Sequence, residues 1–422
     1  MNEPSTEGVA RGATRLSGFD EPEMEFQLLR GLGVSNYGGG TLGEIMVARE
    51  NIEQRMRDPQ SPTADPARAW TASFSALAQQ VEQYGQRALA RGHRVSAREH
   101  LMRASMYYRA AEYFCDPFKP DHRRWGIASR EAFILGASLL NIPVKVVQIP
   151  YEGLWIPAYY FTASPEESPH ERRKTLLVNT GFDGSGEELY FEAGRAALDR
   201  NYNVLLIDGP GQTGMTRLHP QLKFRADWEV PIKAVMDWLC AQPDVDPERI
   251  ACYGISLGGY FATRAACHEP RIKALAVNSP IVDLKAYQLG FFPPGTADDP
   301  PELLLEWFDD IPSAELPDSL RALLKIAFFR FGTNSLRGWV SMLDAFKCRE
   351  DLEHLRAPCL SMVGAAEGAE PLKQAEYFKT HAAGPVDEYV FSHAEGADAH
   401  CQLTNLPLSA AVLFDWLDER FK

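Results

Sequence analysis

The spacing of apolar residues divides this chain of 422 residues into two parts. From Glu21 to about residue 141 the apolar residues recur every three or four positions, which is the spacing of helices that bury one face. From Ile142 onward, short apolar runs typical of buried strands alternate with segments of helical spacing. The pattern predicts an all-helical N-terminal domain at 19–141 and an α/β domain at 142–422, in which a mostly parallel sheet is covered by helices on both faces. Residues 1–18 are polar and are predicted to be disordered.

Five helices are predicted in the first part, at residues 22–32, 41–56, 65–92, 96–115 and 121–140. Thr41 is a candidate cap, with Glu44 as its reciprocal partner, and Ser96 is predicted to open the fourth helix. The third and fourth helices resemble a tetratricopeptide hairpin, although no repeat of about 34 residues recurs. The fourth helix carries aromatic side chains that either form core or line a substrate pocket. They are Tyr107, Tyr108, Tyr113 and Phe114.

A hairpin of two strands, at 144–149 and 154–161, opens the second part. The remaining predicted strands are 175–179, 203–207, 250–253, 272–278, 359–363 and 388–391, and the helices are 187–201, 226–242, 260–267, 371–382 and 409–421. Residues 284–350 interrupt this alternation after the sixth strand, with helical pieces at 303–308 and 320–331. We expect this insertion to form a lid or a pocket wall, and the alternative is a scaffold insertion without a catalytic part.

Composition excludes several classes of function. A net charge of −14 argues against a nucleic-acid partner or an anionic membrane, because both require a basic surface. No run of about 18 apolar residues and no signal peptide is present, so we expect a cytoplasmic protein. The seven cysteines include no C-x-x-C pair and are predicted to be reduced. Histidines and cysteines lack metal-ligand spacing, so no metal and no cofactor is predicted.

The segment around Ser256 carries the clearest chemical signal. Gly254-Ile-Ser-Leu-Gly258 fits G-x-S-x-G and lies between an apolar strand and a helix. In this setting the two glycines allow strand and helix to crowd together, and the serine is held in a strained turn with its hydroxyl exposed. Ser256 is therefore the predicted nucleophile of an α/β-hydrolase.

A nucleophilic serine requires a base and a group that orients the base. In this fold the order along the chain is serine, acid, histidine. His400, before the last helix, is the predicted base, and His393 is the alternative. The loop after the strand 359–363 offers Glu367 as the predicted acid, with Glu370 as the second choice.

An oxyanion requires backbone N–H donors on either side of the nucleophile. Leu257 supplies one, and Phe182, in the loop after the strand 175–179, is the candidate for the other. Asp183 in the same loop either binds a substrate hydroxyl or holds the turn. The rigid turn Asp208-Gly-Pro-Gly-Gln-Thr213 follows the next strand, but its glycines lack the spacing of a dinucleotide site.

Together these segments resemble a branch of the α/β-hydrolases that includes fungal polyketide chain-shortening hydrolases of melanin pathways, the dihydroxypseudooxynicotine C–C hydrolase and FrsA-like esterases. The matching segments are Tyr37-Gly-Gly-Gly-Thr-Leu-Gly-Glu44, Asp208-Gly-Pro-Gly-Gln212, Gly254-Ile-Ser-Leu-Gly-Gly259, Glu395-Gly-Ala-Asp-Ala-His-Cys-Gln402 and Phe414-Asp-Trp-Leu417. The resemblance implies a triad of Ser256, Glu367 and His400, a substrate pocket between the helical domain and the sheet, and a homodimer. Several relatives carry aspartate where this chain has Glu367. In relatives that hydrolyse C–C bonds, a further acidic residue assists near the position of Asp283.

These features predict a serine hydrolase of secondary metabolism. Its substrate is a polyketide-like or aryl-ketone small molecule, in which an ester or a C–C bond next to a ketone is cleaved through an acyl-enzyme. The same residues could instead pass the acyl group to a hydroxyl or an amine, which gives acyl transfer or cyclisation. The alternative from another class is a non-catalytic binding protein with the hydrolase fold.

Overall fold

The computed structural model describes residues 18–58, 60, 62–163, 171–290 and 318–422. Two predictions, disorder at residues 1–17 and a helix at 303–308, lie outside the described residues. The predicted disorder is wrong for residue 18, because the Gly18 N–H donates to Glu25 Oε2 at 3.0 Å and Gly18 is buried.

Five helices form the N-terminal part, as the apolar spacing predicts. They are α1 Pro22–Gly33, α2 Leu42–Arg57, α3 Pro66–Ala90, α4 Arg94–Tyr113 and α5 Pro120–Ala137. Their shared core surrounds Trp70, whose ring lies 4.6 Å from Phe74 and 5.1 Å from Phe114. The helices α3, α4 and α5 pack side by side, so this part buries a core of its own.

The α/β part contains a sheet of eight strands, with helices and short turns between them. The strands are β1 Val144–Tyr151, β2 Leu154–Phe161, β3 Arg173–Asn179, β4 Asn203–Ile207, β5 Val245–Ile255, β6 Ala274–Asn278, β7 Cys359–Gly364 and β8 Val386–Phe391. The α-helices are α6 Gly186–Leu189, α7 Arg195–Leu198, α8 Thr213–Leu218, α9 Glu229–Cys240, α10 Gly258–His268, α11 Leu284–Leu289, α12 Asp318–Phe331, α13 Leu336–Leu343, α14 Ala369–His381 and α15 Leu406–Arg420.

The strands follow the order β1-β2-β4-β3-β5-β6-β7-β8. Among the described strands, β2 is antiparallel to both of its neighbours, β1 and β4, and all pairs from β4 to β8 are parallel. Along β5, Ile250 and Cys252 pack into the core on one face, while Ala251 and Tyr253 pack on the other. Burial on both faces explains why the inner strands β4, β6 and β7 are mostly apolar and do not alternate, whereas the edge strand β1 alternates between exposed and buried positions. The predicted mostly parallel sheet, with helices on both faces, is confirmed.

Several predicted element boundaries were wrong. The fourth helix begins at Arg94 and not at Ser96, because His93 takes the cap position. Thr41 does cap α2, with its hydroxyl accepting from the Glu44 N–H at 3.4 Å. The reciprocal bond differs, because the Thr41 N–H donates to the Tyr107 hydroxyl, which itself donates to the Glu44 carboxylate at 2.6 Å.

The apolar pattern did not predict two local features. The helix predicted at 187–201 is split, because a single π-helical turn at Tyr190–Gly194 separates α6 from α7. The helix α8 was not predicted, since six residues are too few to display a helical period. Further boundaries shift by a few residues, with α9 starting at Glu229, β8 at Val386 and α15 at Leu406.

Buried charges join the helical part to the sheet part. Arg217 on α8 donates to both carboxylate oxygens of Glu112 on α4, at 2.8 and 2.5 Å, and to Glu187 on α6 at 2.9 Å. Arg30 on α1 binds both oxygens of Glu188 at 2.6 Å. The two parts are therefore connected by paired charges as well as by apolar contact.

Candidate active site

The turn between β5 and α10 carries Ser256. Its φ is 58°, in the left-handed region that a residue with a side chain rarely adopts, so the backbone is strained there. A Cβ on Gly254 would lie 2.1 Å from the Gly258 carbonyl oxygen, and one on Gly258 would lie 2.4 Å from that of Asn179. Only glycine fits at either position, which is the physical reason for the G-x-S-x-G spacing.

His400 lies against this serine, with its Nε2 at 2.9 Å from Ser256 Oγ. It begins the short 3₁₀ turn His400–Gln402, which follows β8 and precedes α15. The next residue but one, Gln402, accepts a hydrogen bond from Asn278 Nδ2 at 2.7 Å, which ties the turn to the end of β6. An imidazole placed in this way is within reach of the serine proton.

Glu367 lies on the other side of the imidazole, with its Oε2 at 2.6 Å from His400 Nδ1. The Ser279 hydroxyl donates to the same oxygen at 2.7 Å, and the Gly364 N–H donates to Oε1 at 2.7 Å. The long glutamate side chain therefore folds back onto the start of its own loop and is held there by two donors.

The loop after β3 lies against the turn that carries Ser256. A Cβ on Gly181 would lie 2.8 Å from Ser256 Cβ and 3.0 Å from the Leu257 nitrogen, so the two backbones are in contact. Phe182 follows directly, and Leu257 precedes the first residue of α10. Across the described residues, neither of these two N–H groups donates to an acceptor. Both N–H groups predicted to bind an oxyanion therefore lack an acceptor among the described residues, and their role remains a prediction.

Comparison with known proteins places this geometry in a family. The hydrolase LUC6 of a Fusarium species is 29% identical over 427 residues, covering 96% of this chain and 97% of that protein. The hydrolase acrC of Aspergillus aculeatus is 32% identical over 349 residues, covering 78% of this chain and 73% of that protein. The chain belongs to the same family, the α/β-hydrolases.

Two further comparisons agree with this assignment. The prolyl oligopeptidase family matches the hydrolase over residues 190–310, which include the turn that carries Ser256. The crystal structure of a 2,6-dihydroxy-pseudo-oxynicotine hydrolase aligns with a TM-score of 0.70 at 22% identity, covering 91% of this chain and 94% of that chain. The structural similarity therefore extends through the helical N-terminal part, and at this identity it establishes the fold.

The hydrolase places its other candidate residues away from the serine and the histidine. Glu370 accepts from Gln374 at 2.9 Å and pairs with Lys373, so it turns away from His400. His393 is largely exposed and contacts Asp398 at 3.1 Å. Of each pair of alternatives, only Glu367 and His400 are brought to Ser256.

The two aspartates predicted for supporting roles have structural partners. Asp283 caps α11 by accepting from the Ala286 N–H at 3.0 Å, and it lies 3.6 Å from Arg349. Asp183 pairs with Arg30 at 3.3 Å, next to the Arg30–Glu188 bonds. These contacts favour the turn-holding role for Asp183, and a supporting catalytic role for Asp283 remains a prediction.

The aromatic residues of α4 divide between core and cleft. Tyr107, Tyr108 and Phe114 pack in the helical core, and Tyr107 and Tyr113 line a cleft among the N-terminal helices. Arg30 and Arg109 of the helical part and Glu188 of the sheet part also line this cleft. The substrate-pocket role of the tyrosines remains a prediction.

Sequence reasoning missed Ser279, which directly follows β6 and holds Glu367. Its place at the carboxyl end of a parallel strand was the available signal, because ligands and catalytic groups gather at that edge.

Burial raises the pKa of the Cys401 thiol well above its usual value, so this neighbour of His400 stays protonated. All seven cysteines are unpaired, as predicted.

The described part of the hydrolase contains no group of three or more histidine, cysteine or acidic side chains arranged to hold a metal ion. Within the same residues, no helix combines the length and the apolar character required to cross a bilayer.

Proposed function

We propose that this α/β-hydrolase is a serine hydrolase in which Ser256 is the nucleophile, His400 the general base and Glu367 the acid that orients it. The N–H groups of Phe182 and Leu257 bind the oxyanion. The observation that carries the proposal is a chain of two hydrogen bonds through His400. Its Nε2 lies 2.9 Å from Ser256 Oγ, and its Nδ1 lies 2.6 Å from Glu367 Oε2.

The first step forms a bond between Ser256 Oγ and the substrate carbonyl carbon, while the serine proton moves to His400 Nε2. The carbonyl oxygen becomes an oxyanion that accepts from the two backbone N–H groups. When this intermediate collapses, the bond to the leaving group breaks and the leaving group takes the proton from Nε2. Water then attacks the acyl-enzyme by the same route and releases a carboxylic acid and free Ser256.

The substrate class is a polyketide-like or aryl-ketone small molecule. An ester releases an alcohol, whereas a 1,3-dicarbonyl releases a ketone, because the departing carbon is stabilised as an enolate and is then protonated. Support comes from the family membership and from the resemblance to hydrolases of both kinds. Acyl transfer or cyclisation differs only in the second nucleophile, so the experiment is designed to separate the products.

The test compares the wild-type enzyme with Ser256→Ala on short aryl esters, an acylated phenol ketone and a 1,3-diketone, in ¹⁸O-labelled water. We expect label in the acid product and a loss of at least about a thousandfold in kcat for the variant. Diketone cleavage identifies a C–C hydrolase, and ester turnover alone identifies an esterase. Product without label indicates acyl transfer or cyclisation. Failure of a fluorophosphonate to label Ser256 in the folded protein would favour the binding-protein alternative.

Glu367 and Glu370 provide a matched pair of variants. Glu367→Gln is expected to lower kcat by about 10³- to 10⁴-fold, because an amide cannot hold the same tautomer of His400 or stabilise its charged form. Glu370→Gln, three residues away, should leave kcat within about twofold. Equal losses in both variants would contradict the assignment of Glu367.

A homodimer is a separate proposal that rests on the resemblance. Sedimentation equilibrium of the full chain tests it, and a single species at the monomer mass of 47.1 kDa would contradict it.

A further inference from the structure

The turn Asp208–Thr213 after β4 has no role in the proposed reaction, yet it holds the loop that carries Phe182. Gln212 Nε2 donates to the carbonyl oxygen of Thr180 and to Asn179 Oδ1, the latter at 3.2 Å. Its own Oε1 accepts from the Gly209 N–H at 2.5 Å, so the amide is fixed from both ends. Gln212 is completely buried.

A second set of contacts holds the other side of Phe182. The hydroxyl of Thr213 donates to the Asp183 carbonyl oxygen at 2.9 Å and accepts from Arg330 Nη2 at 2.8 Å. Arg109 Nη2, which comes from α4 of the helical part, donates to the same carbonyl oxygen. Thr213 and both arginines are at most 5% exposed, so water does not compete for these bonds.

These bonds fix the carbonyl of Thr180, two residues before Phe182, and the carbonyl of Asp183, directly after it. Between them, Gly181 is in contact with the backbone of Ser256. A peptide group has only two soft dihedral angles on each side, so fixing the carbonyls on both flanks also fixes the direction of the N–H between them. An oxyanion donor is effective only if it is aimed before the charge develops.

We propose that Gln212, Thr213 and Arg109 form a loop clamp that aims the Phe182 N–H at the oxyanion. The inference rests on the proposed function. All three are positioning residues, since they act through the loop backbone and not on the substrate. One of the three comes from the helical part, so the N-terminal helices contribute to catalysis through Arg109.

Thr213→Val is the informative variant because valine keeps the shape of threonine and removes only the hydroxyl. The carbonyl of Asp183 then keeps a single donor, and Arg330 loses one acceptor. Thr213→Ser restores the hydroxyl without the methyl group. Thr263→Val serves as the control, because Thr263 is equally buried and its hydroxyl has no hydrogen-bond partner among the described residues.

The measurements are kcat and KM with p-nitrophenyl acetate, and the inhibition constant of phenylboronic acid, whose serine adduct presents an oxygen to the same donors. We expect Thr213→Val to lower kcat by about 10- to 100-fold, since a misplacement of about 1 Å costs up to about 100-fold. KM should stay within about threefold, and the boronic acid should bind more weakly by a factor similar to the loss in kcat. Thr213→Ser should recover kcat to within about threefold of wild type, and Thr263→Val should leave it unchanged.

The proposal is overturned if Thr213→Val keeps the wild-type kcat and boronic acid affinity while Ser256→Ala is inactive. It is also overturned if KM rises and kcat does not fall. Unchanged turnover in Ser256→Ala would overturn the proposed function and the clamp together, so the two failures are distinguishable. If Thr213→Val does not fold, as judged by its thermal melt, Arg109→Gln is measured in the same way, and a wild-type kcat in that variant refutes the clamp.

Discussion

Removing the charge of Arg217 tests whether buried ion pairs hold the helical part to the sheet part. Arg217 is fully buried, and its guanidinium binds Glu112 from the helical part and Glu187 from the sheet part. Both carboxylates are only 1% exposed. Arg217→Met keeps most of the side-chain volume and leaves two buried carboxylates without their main partner.

The expected loss in the free energy of unfolding follows from the burial of Arg217 and its two carboxylate partners. Breaking a buried pair by removing one partner costs about 3–5 kcal/mol, because the remaining charge keeps its desolvation penalty. Solvent screening does not reduce this value, because the three side chains are at most 1% exposed. Burial alone would raise the pKa of Glu112, but the charge and hydrogen bonds of Arg217 lower it to about 2. A depressed carboxyl pKa contributes stability above the unfolded value of about 4.3, and this contribution is lost as the pH falls toward 2.

Urea denaturation at pH 7, followed by far-ultraviolet circular dichroism, measures the free energy of unfolding. We expect Arg217→Met to lower it by about 3–5 kcal/mol. The control is Arg195→Met, which removes an exposed pair with Asp199 on α7 and should cost at most about 0.5 kcal/mol. A loss below about 1 kcal/mol for Arg217→Met would refute the reasoning. The reasoning would also be refuted if Arg217→Met lost as much stability as the wild type between pH 4.3 and pH 2.

Two further predictions concern stability. His122 is buried, and burial together with three nearby arginines lowers its pKa to about 4, although Glu112 acts in the opposite sense. Since the unfolded chain takes up this proton near pH 6.5, the free energy of unfolding should fall by about 3 kcal/mol between pH 6.5 and pH 4, and His122→Gln should flatten that slope in urea titrations. Gly43→Ala should raise the free energy of unfolding by about 0.5 kcal/mol, because the position is helical and an added Cβ meets no atom within 4 Å. Gly85→Ala should lower it by about 1–3 kcal/mol, because that Cβ would lie 2.9 Å from Leu101, and equal effects of the two substitutions would contradict the packing argument.

Those parts of the site that depend on neighbouring residues could be predicted from the sequence. The turn that carries Ser256 is local, since two glycines four residues apart allow a strand to pass directly into a helix around this serine. His400 could be ranked above His393 because it lies in the loop before the last helix, where the hydrolase fold has its histidine, whereas His393 lies at the end of a strand. The helices of the N-terminal part could also be predicted from the sequence, because amphipathic spacing persists over long segments.

Parts of the site that depend on distant residues came only with the tertiary structure. Glu367 and Glu370 lie three residues apart and have the same chemistry, but Glu370 lies in the first turn of α14, whereas contacts with Ser279 and Gly364 hold Glu367 at His400. The π-helical turn was equally hidden, because one extra residue in a helical turn leaves the apolar composition unchanged.

The sequence by itself determined the sheet, the helical domain and the G-x-S-x-G turn that carries Ser256, because apolar period and turn chemistry act over a few residues. Only the tertiary structure decided which charges pair. Arg217 meets Glu112 across 105 positions of the chain, and Arg109 reaches the Asp183 carbonyl across 74. A charged residue on a helix has the same local signature whether it lies in solvent or in a buried pair. Its partner is fixed by how two domains pack, and that packing is set by the whole chain.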